Sequence, residues 1–336
     1  MAKRRLTQQQ KNRIQAIQHK RRERLEKQAK DSLETGEGQP PAEGRVVIRH
    51  GATLGVEDGM GRIIQCRTRQ HIGHPVCGDR VVWQPTEAHT GVVTALLPRT
   101  SVLSRPDFSG RDKPLAANLT QLVIVLAPKP EPSGYLLDQY LVTAELIRVK
   151  PLIAINKKDL LQGIEQEHFF AQFAHYPNMG YPLVQVSAKR EHGLDALIER
   201  LNRETSILVG QSGVGKSSLI NALLPEHDIE TGRLSAATGL GRHTTSTATL
   251  YKLPQGGELI DSPGVRSFRL TDLTREELEQ GFPEFRPYLG QCRFHNCTHE
   301  HEPDCAIQAA VAAGKITSQR LSNFLRLNQA MRERSE

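Results

Sequence analysis

The chain has 336 residues, enough for two or three domains with cores of their own. Lys and Arg outnumber Asp and Glu by 44 to 37 and the pI is near 9.2, which points to a polyanionic partner but also suits a plain basic surface. No apolar run reaches the roughly 18 residues of a membrane span, and three of the five cysteines crowd into 292–305, as in a metal site rather than a disulfide scaffold.

With no signal-peptide core at the N-terminus, the protein is expected to be soluble and cytoplasmic, with no membrane partner. Residues 1–30 carry eleven Lys or Arg against only Glu23 and Glu26. This is either a solvated tail or a basic arm that orders as a helix on nucleic acid. Residues 36–44, with Pro40 and Pro41, read as a linker, so that 1–44 is arm and linker. Five short β-like runs follow at 45–49, 52–57, 61–68, 79–83 and 91–97, separated by Gly, Pro and Asp clusters. Five strands in so short a span predict a small closed barrel over 45–100, of the OB-fold type. Arg62, Arg67, Arg69 and Arg80 offer charge for RNA, but Trp83 is the only aromatic residue between 45 and 97, a poor stacking platform; a purely structural barrel is the alternative.

From 105 to 272 the pattern is α/β. The run Leu122-Val-Ile-Val-Leu126 suits a strand buried on both faces. An amphipathic stretch at 136–149, strand 152–155, helix 165–173, strand 183–186 and helix 194–201 come next. Strand 206–209, helix 216–224 and strands 248–253 and 258–260 complete a doubly wound sheet.

Between strand and helix lies Gly210, Gln211, Ser212, Gly213, Val214, Gly215, Lys216, Ser217, a phosphate-binding loop continued by Ser218. Glycines let backbone N–H groups turn toward phosphates, Lys216 reaches the β- and γ-phosphate oxygens, and Ser217 offers a hydroxyl to Mg²⁺. Asp261, at the end of an apolar strand, and Gly264 have the Asp-x-x-Gly spacing of a magnesium and γ-phosphate partner. Upstream of the loop lie Asn156, Lys157 and Asp159 in Asn-Lys-x-Asp spacing, at the end of a strand where α/β ligands bind. Asp159 can accept from guanine N1–H and the 2-amino group, and the Lys157 stem can pack on the base. Ser187, Ala188 and Lys189 are in register to present the Ala188 N–H to guanine O6. The guanine-reading motifs therefore precede the phosphate loop, an order that predicts a circularly permuted P-loop GTPase binding GTP with Mg²⁺.

Between loop and Asp261, Thr244 or Thr245 is placed to bind magnesium. Val265 occupies the place where many GTPases orient the attacking water with glutamine, and an apolar side chain cannot do this. His243 is then the best candidate for a catalytic residue, against the alternative of a solvated loop histidine. Further on, Cys292, Cys297, His299 and Cys305 fit a closed tetrahedral Zn²⁺ site, with His295 and His301 as alternative donors. Bound metal would supply folding energy to a C-terminal zinc-binding helical domain over 273–336, ending in a helical tail at 306–332 broken near Gly314.

The permuted order, the loop Gly-Arg-His-Thr-Thr at 241–245, the string Asp-Ser-Pro-Gly-Val at 261–265 and the Cys-x4-Cys-x-His-x5-Cys cluster together resemble the RsgA (YjeQ) family of small-ribosomal-subunit biogenesis GTPases. The resemblance runs from about residue 45 to 330. It implies an OB-fold, a permuted GTPase and a zinc domain in one monomeric chain. It further implies binding to the 30S subunit and its 16S rRNA late in maturation, and GTP hydrolysis stimulated by that subunit. Carried to this sequence, His243 is the expected catalytic histidine and Cys292, Cys297, His299 and Cys305 the zinc ligands. The family's usual third threonine is Ser246 here, which keeps a hydroxyl.

Overall fold

The computed structural model describes residues 40–69, 72–87, 89–106, 112–190, 192–225, 247–262 and 273–333. Strands β1 (Ala42–His50), β2 (Thr53–Asp58), β3 (Ile63–Thr68), β4 (Arg80–Glu87) and β5 (Thr90–Leu96) come first. They pair in the order β1-β2-β3-β5-β4, and β4 pairs back onto β1, which closes the barrel. β3 and β5 run parallel and the other pairs antiparallel. Alternate residues point inward, so Val46, Leu54, Val56, Ile64, Cys66, Val81, Trp83 and Val93 form a separate core. β1 starts at Ala42, so the last three residues of the expected linker already belong to the barrel. Trp83 is buried in that core and offers no stacking face. Arg62, Arg67, Arg69 and Arg80 are all exposed, and Arg62 pairs with Asp58 and Arg80 with Glu43, each at 2.8 Å.

A hairpin that the sequence does not announce follows, β6 (Val102–Pro106) and β7 (Asp112–Ala117). Pro106 and Pro114 break the alternation that would mark its strands.

The nucleotide-domain strands are β8 (Gln121–Leu126), β9 (Lys150–Ile155), β10 (Leu183–Gln185), β11 (Thr205–Val209), β12 (Ala248–Lys252) and β13 (Glu258–Asp261). They are ordered β10-β9-β8-β11-β13-β12, all parallel except β12. Helices α1 (Gly134–Ile147), α2 (Gly163–Ala171), α3 (His175–Asn178), α4 (Asp195–Leu201) and α5 (Lys216–Leu223) connect them. Because successive strand residues face opposite ways, Leu122, Ile124 and Leu126 join Leu137 and Leu141 of α1 in one core. Val123 and Val125 join Leu197, Leu201, Leu219 and Leu223 in the other. Both faces of β8 are thereby covered, as its unbroken apolar run requires.

Barrel and nucleotide sheet are continuous through β1 and β12, where Ile48 pairs with Thr249 and Arg49 with Ala248. Arg45 of β1 also donates to the Glu258 carboxylate at 2.6 Å, beside Thr205, so the joint is polar as well as laddered.

Beyond residue 273 come α6 (Arg275–Gln280), a 3-10 turn at Pro283–Tyr288, α7 (Ala306–Ala312) and α8 (Ser318–Arg332). A capping box between Thr274 and Glu277 starts α6. α8 lies against α1 through a buried polar knot. Arg320 is fully buried, donates to Asp138 at 2.6 Å and to Glu284 at 2.6 Å, and lies over the Phe282 ring. Asn323 and the Tyr176 hydroxyl donate to the same Asp138 carboxylate, at 2.7 and 2.9 Å. A guanidinium held without water needs such a full set of acceptors. Among the described residues no helix is long and apolar enough to cross a membrane.

Candidate nucleotide site and metal centre

The register of the parallel strands brings the motifs to one edge of the sheet. Ile155 pairs with both Leu126 and Gln185, Val209 with Ile124, and Ile207 with Ile260. Asn156 follows β9, Ser187 follows β10, the phosphate loop follows β11, and Asp261 ends β13, all at the carboxyl ends where α/β sheets bind ligands.

The loop between β11 and α5 turns on glycines that no other residue could replace. Gly210 has φ +140° and an added Cβ would sit 2.3 Å from the Val125 carbonyl oxygen; Gly215 has φ +95° and its Cβ would meet Asn156 Nδ2 at 2.4 Å. Lys216 Nζ donates to the carbonyls of Gly210 and Gln211 at 2.7 and 2.6 Å, so its ammonium is poised at the centre of the loop. Ser217 and Ser218 are exposed in the first turn of α5, whose N-terminus carries positive dipole.

The guanine motif clamps this loop directly. Asn156 is almost wholly buried; its Nδ2 donates to the Val214 carbonyl at 3.0 Å, and its Oδ1 accepts from the Ala188 N–H at 3.4 Å. Lys157 takes a left-handed turn (φ 60°) and its Nζ donates to the carbonyls of Lys129 and Gly213 at 2.8 and 2.6 Å. The Ser187 hydroxyl donates to Asp159 Oδ1. That bond, more than any other influence, holds the Asp159 carboxyl below its ordinary value and keeps it an acceptor.

Two adjoining cavities result. One of about 330 Å³ is lined by Ser212, Gly213, Lys216 and Ser217; the other, of about 180 Å³, by Asn156, Asp159, Leu160, Ser187, Ala188 and Lys189. Lys157, Gly215 and Ser218 line both, so phosphate and base ends share one wall. Asp261 stands at the mouth of its strand, half-buried. His243, Thr244, Thr245 and Gly264 lie outside the described residues.

Three groups at this site escape motif reading. Tyr140 of α1 bonds the Gly210 backbone through its hydroxyl, the Lys129 carbonyl receives Lys157, and Leu160 walls the base cavity. Tyr140 and Leu160 look like ordinary apolar positions in sequence; only the fold aims them here.

The metal-ligating residues also converge. The ligand atoms of Cys292, Cys297, His299 and Cys305 all lie within 4.8 Å of one another. His299 Nδ1 is 3.6, 3.5 and 3.3 Å from the three sulfurs in chain order, and the Cys292 and Cys305 sulfurs are 3.9 Å apart. A tetrahedron with ordinary zinc–sulfur and zinc–nitrogen lengths has edges of about 3.5 Å (S···N) and about 3.8 Å (S···S), so these residues fit a closed zinc site. Without a cation, burial pushes the Cys297 thiol up to about 12; two buried thiols, the half-buried Cys292 and a buried imidazole make sense as a set once a metal takes their protons' place. His295 and His301 are exposed and outside the cluster. The loop is stiffened by Glu302, which accepts from Thr298 Oγ1 and from the Thr298, Glu300 and His301 N–H groups.

A sequence profile described as RsgA GTPase matches residues 96–271. A "Small ribosomal subunit biogenesis GTPase RsgA" of Hahella chejuensis is 45% identical over 340 residues, covering 99% of this chain and 98% of that one. The chain belongs to the RsgA GTPase family. A protein of the same name from Pseudomonas aeruginosa is 45% identical over 336 residues, 99% of each chain. Among solved structures, YjeQ from Thermotoga maritima superposes with a TM-score of 0.70 at 34% identity, over 85% of this chain and 97% of that one. YloQ, described as a circularly permuted GTPase, gives 0.69 at 30% identity over 89% and 98%. Family membership makes this chain a GTP hydrolase built on a circularly permuted domain.

Proposed function

We propose that the protein is a GTPase of the small ribosomal subunit: it binds the 30S particle, contacts 16S rRNA, assists late maturation, and hydrolyses GTP to GDP and phosphate under the subunit's stimulation. The observation that carries the nucleotide part is the hydrogen bond from Asn156 to the Val214 carbonyl, which makes base-reading and phosphate-binding loops one pocket. The names of the relatives supply the ribosomal part.

In this reading the domains are a basic arm and linker over 1–44, an OB barrel over 45–100, the permuted GTPase over 105–272 and a zinc-bearing helical domain over 273–336, in a monomeric, cytoplasmic chain. Asp159 and the Ala188 N–H recognise guanine, with Ser187 and Lys189 shaping the loop. The N–H groups of residues 210 to 218, Lys216 and the α5 dipole bind phosphates. Ser217, Thr244 or Thr245, and Asp261 would hold Mg²⁺. When bound, that ion would neutralise charge building on the β- and γ-phosphate oxygens. His243 positions or deprotonates the attacking water, and the Gly264 N–H responds to the γ-phosphate. Cys292, Cys297, His299 and Cys305 hold one structural Zn²⁺.

The test titrates GTP turnover with purified 30S, 50S and 70S particles. Stimulation by 30S in the wild type is expected, with a loss of about 10²-fold or more in His243→Ala at unchanged GTP affinity. Equal turnover with and without 30S would refute the proposal.

A further inference from the structure

The metal cluster leaves one buried atom without a hydrogen bond. His299 is almost wholly buried, its Nδ1 faces the three sulfurs, and its Nε2 points away from them with no hydrogen-bonding partner meeting normal geometry. Glu279 Oε1 lies 3.3 Å from that nitrogen. Glu279 sits near the end of α6, is itself mostly buried, and its Oε1 also accepts from Arg275 Nε at 2.8 Å, one helical turn earlier. Arg275 in turn reaches the Asn296 carbonyl at 3.3 Å, inside the cysteine loop.

We infer that Glu279 is a positioning residue of the metal centre: it takes the Nε2–H of His299 and so commits Nδ1 to the metal, with Arg275 orienting the carboxylate. The inference rests on the zinc reading above. Its physical ground is general. A neutral imidazole has one proton for two nitrogens, and a ligating histidine offers its lone pair only from the nitrogen that lacks it. An acceptor fixed at the other nitrogen selects the tautomer, stops the ring from turning, and raises the ligand's basicity. At 3.3 Å the pair is within reach of a hydrogen bond, and a cation on Nδ1 would drain charge from the ring and make Nε2–H a better donor. Nothing in the spacing of the three cysteines and the histidine indicates this carboxylate, because it comes from a helix twenty residues upstream. The arrangement also ties α6, a helix entered through a capping box at Thr274, to the metal loop by two side chains.

The experiment uses the full-length, zinc-loaded protein and a chromogenic chelator of known zinc affinity. Glu279→Ala is expected to weaken zinc binding by about 10- to 100-fold; Glu279→Gln, whose amide oxygen still accepts from Nε2–H, should lose much less. A second readout needs no variant: in the ¹⁵N imidazole spectrum of the wild type, His299 should carry metal on Nδ1 and a slowly exchanging proton on Nε2. Zinc held by Glu279→Ala within twofold of the wild type, or a His299 metallated at Nε2, overturns the inference and leaves the zinc site standing. Should Glu279→Ala fail to fold, the wild-type spectrum decides alone. A wild type that binds no zinc overturns both.

Discussion

Asn156→Ala tests the joint on which nucleotide recognition depends. The amide bridges two loops that are 58 and 32 residues away in sequence, donating to Val214 and accepting from Ala188. Val214 is buried, so its carbonyl would lose its side-chain partner where water does not reach, a penalty of about 1–3 kcal/mol. Ala188 is half-exposed and its bond is long, so water can replace most of that contact. A total of about 2 kcal/mol follows, or about 30-fold in an equilibrium constant. Because the bond spans the wall shared by base and phosphate cavities, most of the loss should fall on GDP and GTP affinity, with little on the metal centre. Calorimetric titration with GDP, run beside a zinc assay, measures it. Affinity within threefold of the wild type would show that the two loops hold their places independently, and the argument for a single clamped pocket would fail.

Ser187→Ala removes the bond that most lowers the Asp159 pKa, so that pKa rises toward the ordinary carboxylate range. A depressed carboxyl supports binding at pH above its folded pKa and ceases to as pH falls through it. The acid limb of GDP affinity, followed downward from pH 6, should therefore move to higher pH in the variant; coincident profiles would contradict the assigned role of the hydroxyl. Removing Asp138 as Asp138→Ala strips the buried Arg320 of one of its two carboxylates and should cost about 3–5 kcal/mol. Urea unfolding would detect this, and a change under 1 kcal/mol would mean that the α1–α8 contact is not held by the polar knot.

The chemistry-bearing motifs were legible because each is contiguous and local. A glycine-rich turn between an apolar strand and a helix reports its own conformation, and Asn-Lys-x-Asp or three cysteines and a histidine within fourteen residues carry their donor sets with them. Alternation marked the barrel strands to within a few residues, and the unbroken run at Gln121–Leu126 marked a strand with two covered faces. The order of the motifs was enough to recognise the permutation, since each kept its place relative to its own strand.

What tertiary structure alone decided are the contacts between elements far apart in the chain. Arg320 meets Asp138 across 182 residues, and β1 extends the nucleotide sheet by pairing with β12. The β6–β7 hairpin forms despite its prolines, and Glu279 comes to lie against His299. No local pattern encodes such pairs. An arginine, a glutamate or a tyrosine has the same propensity in solvent as in a core, and its partner is chosen only when packing of the apolar faces brings two backbones within reach.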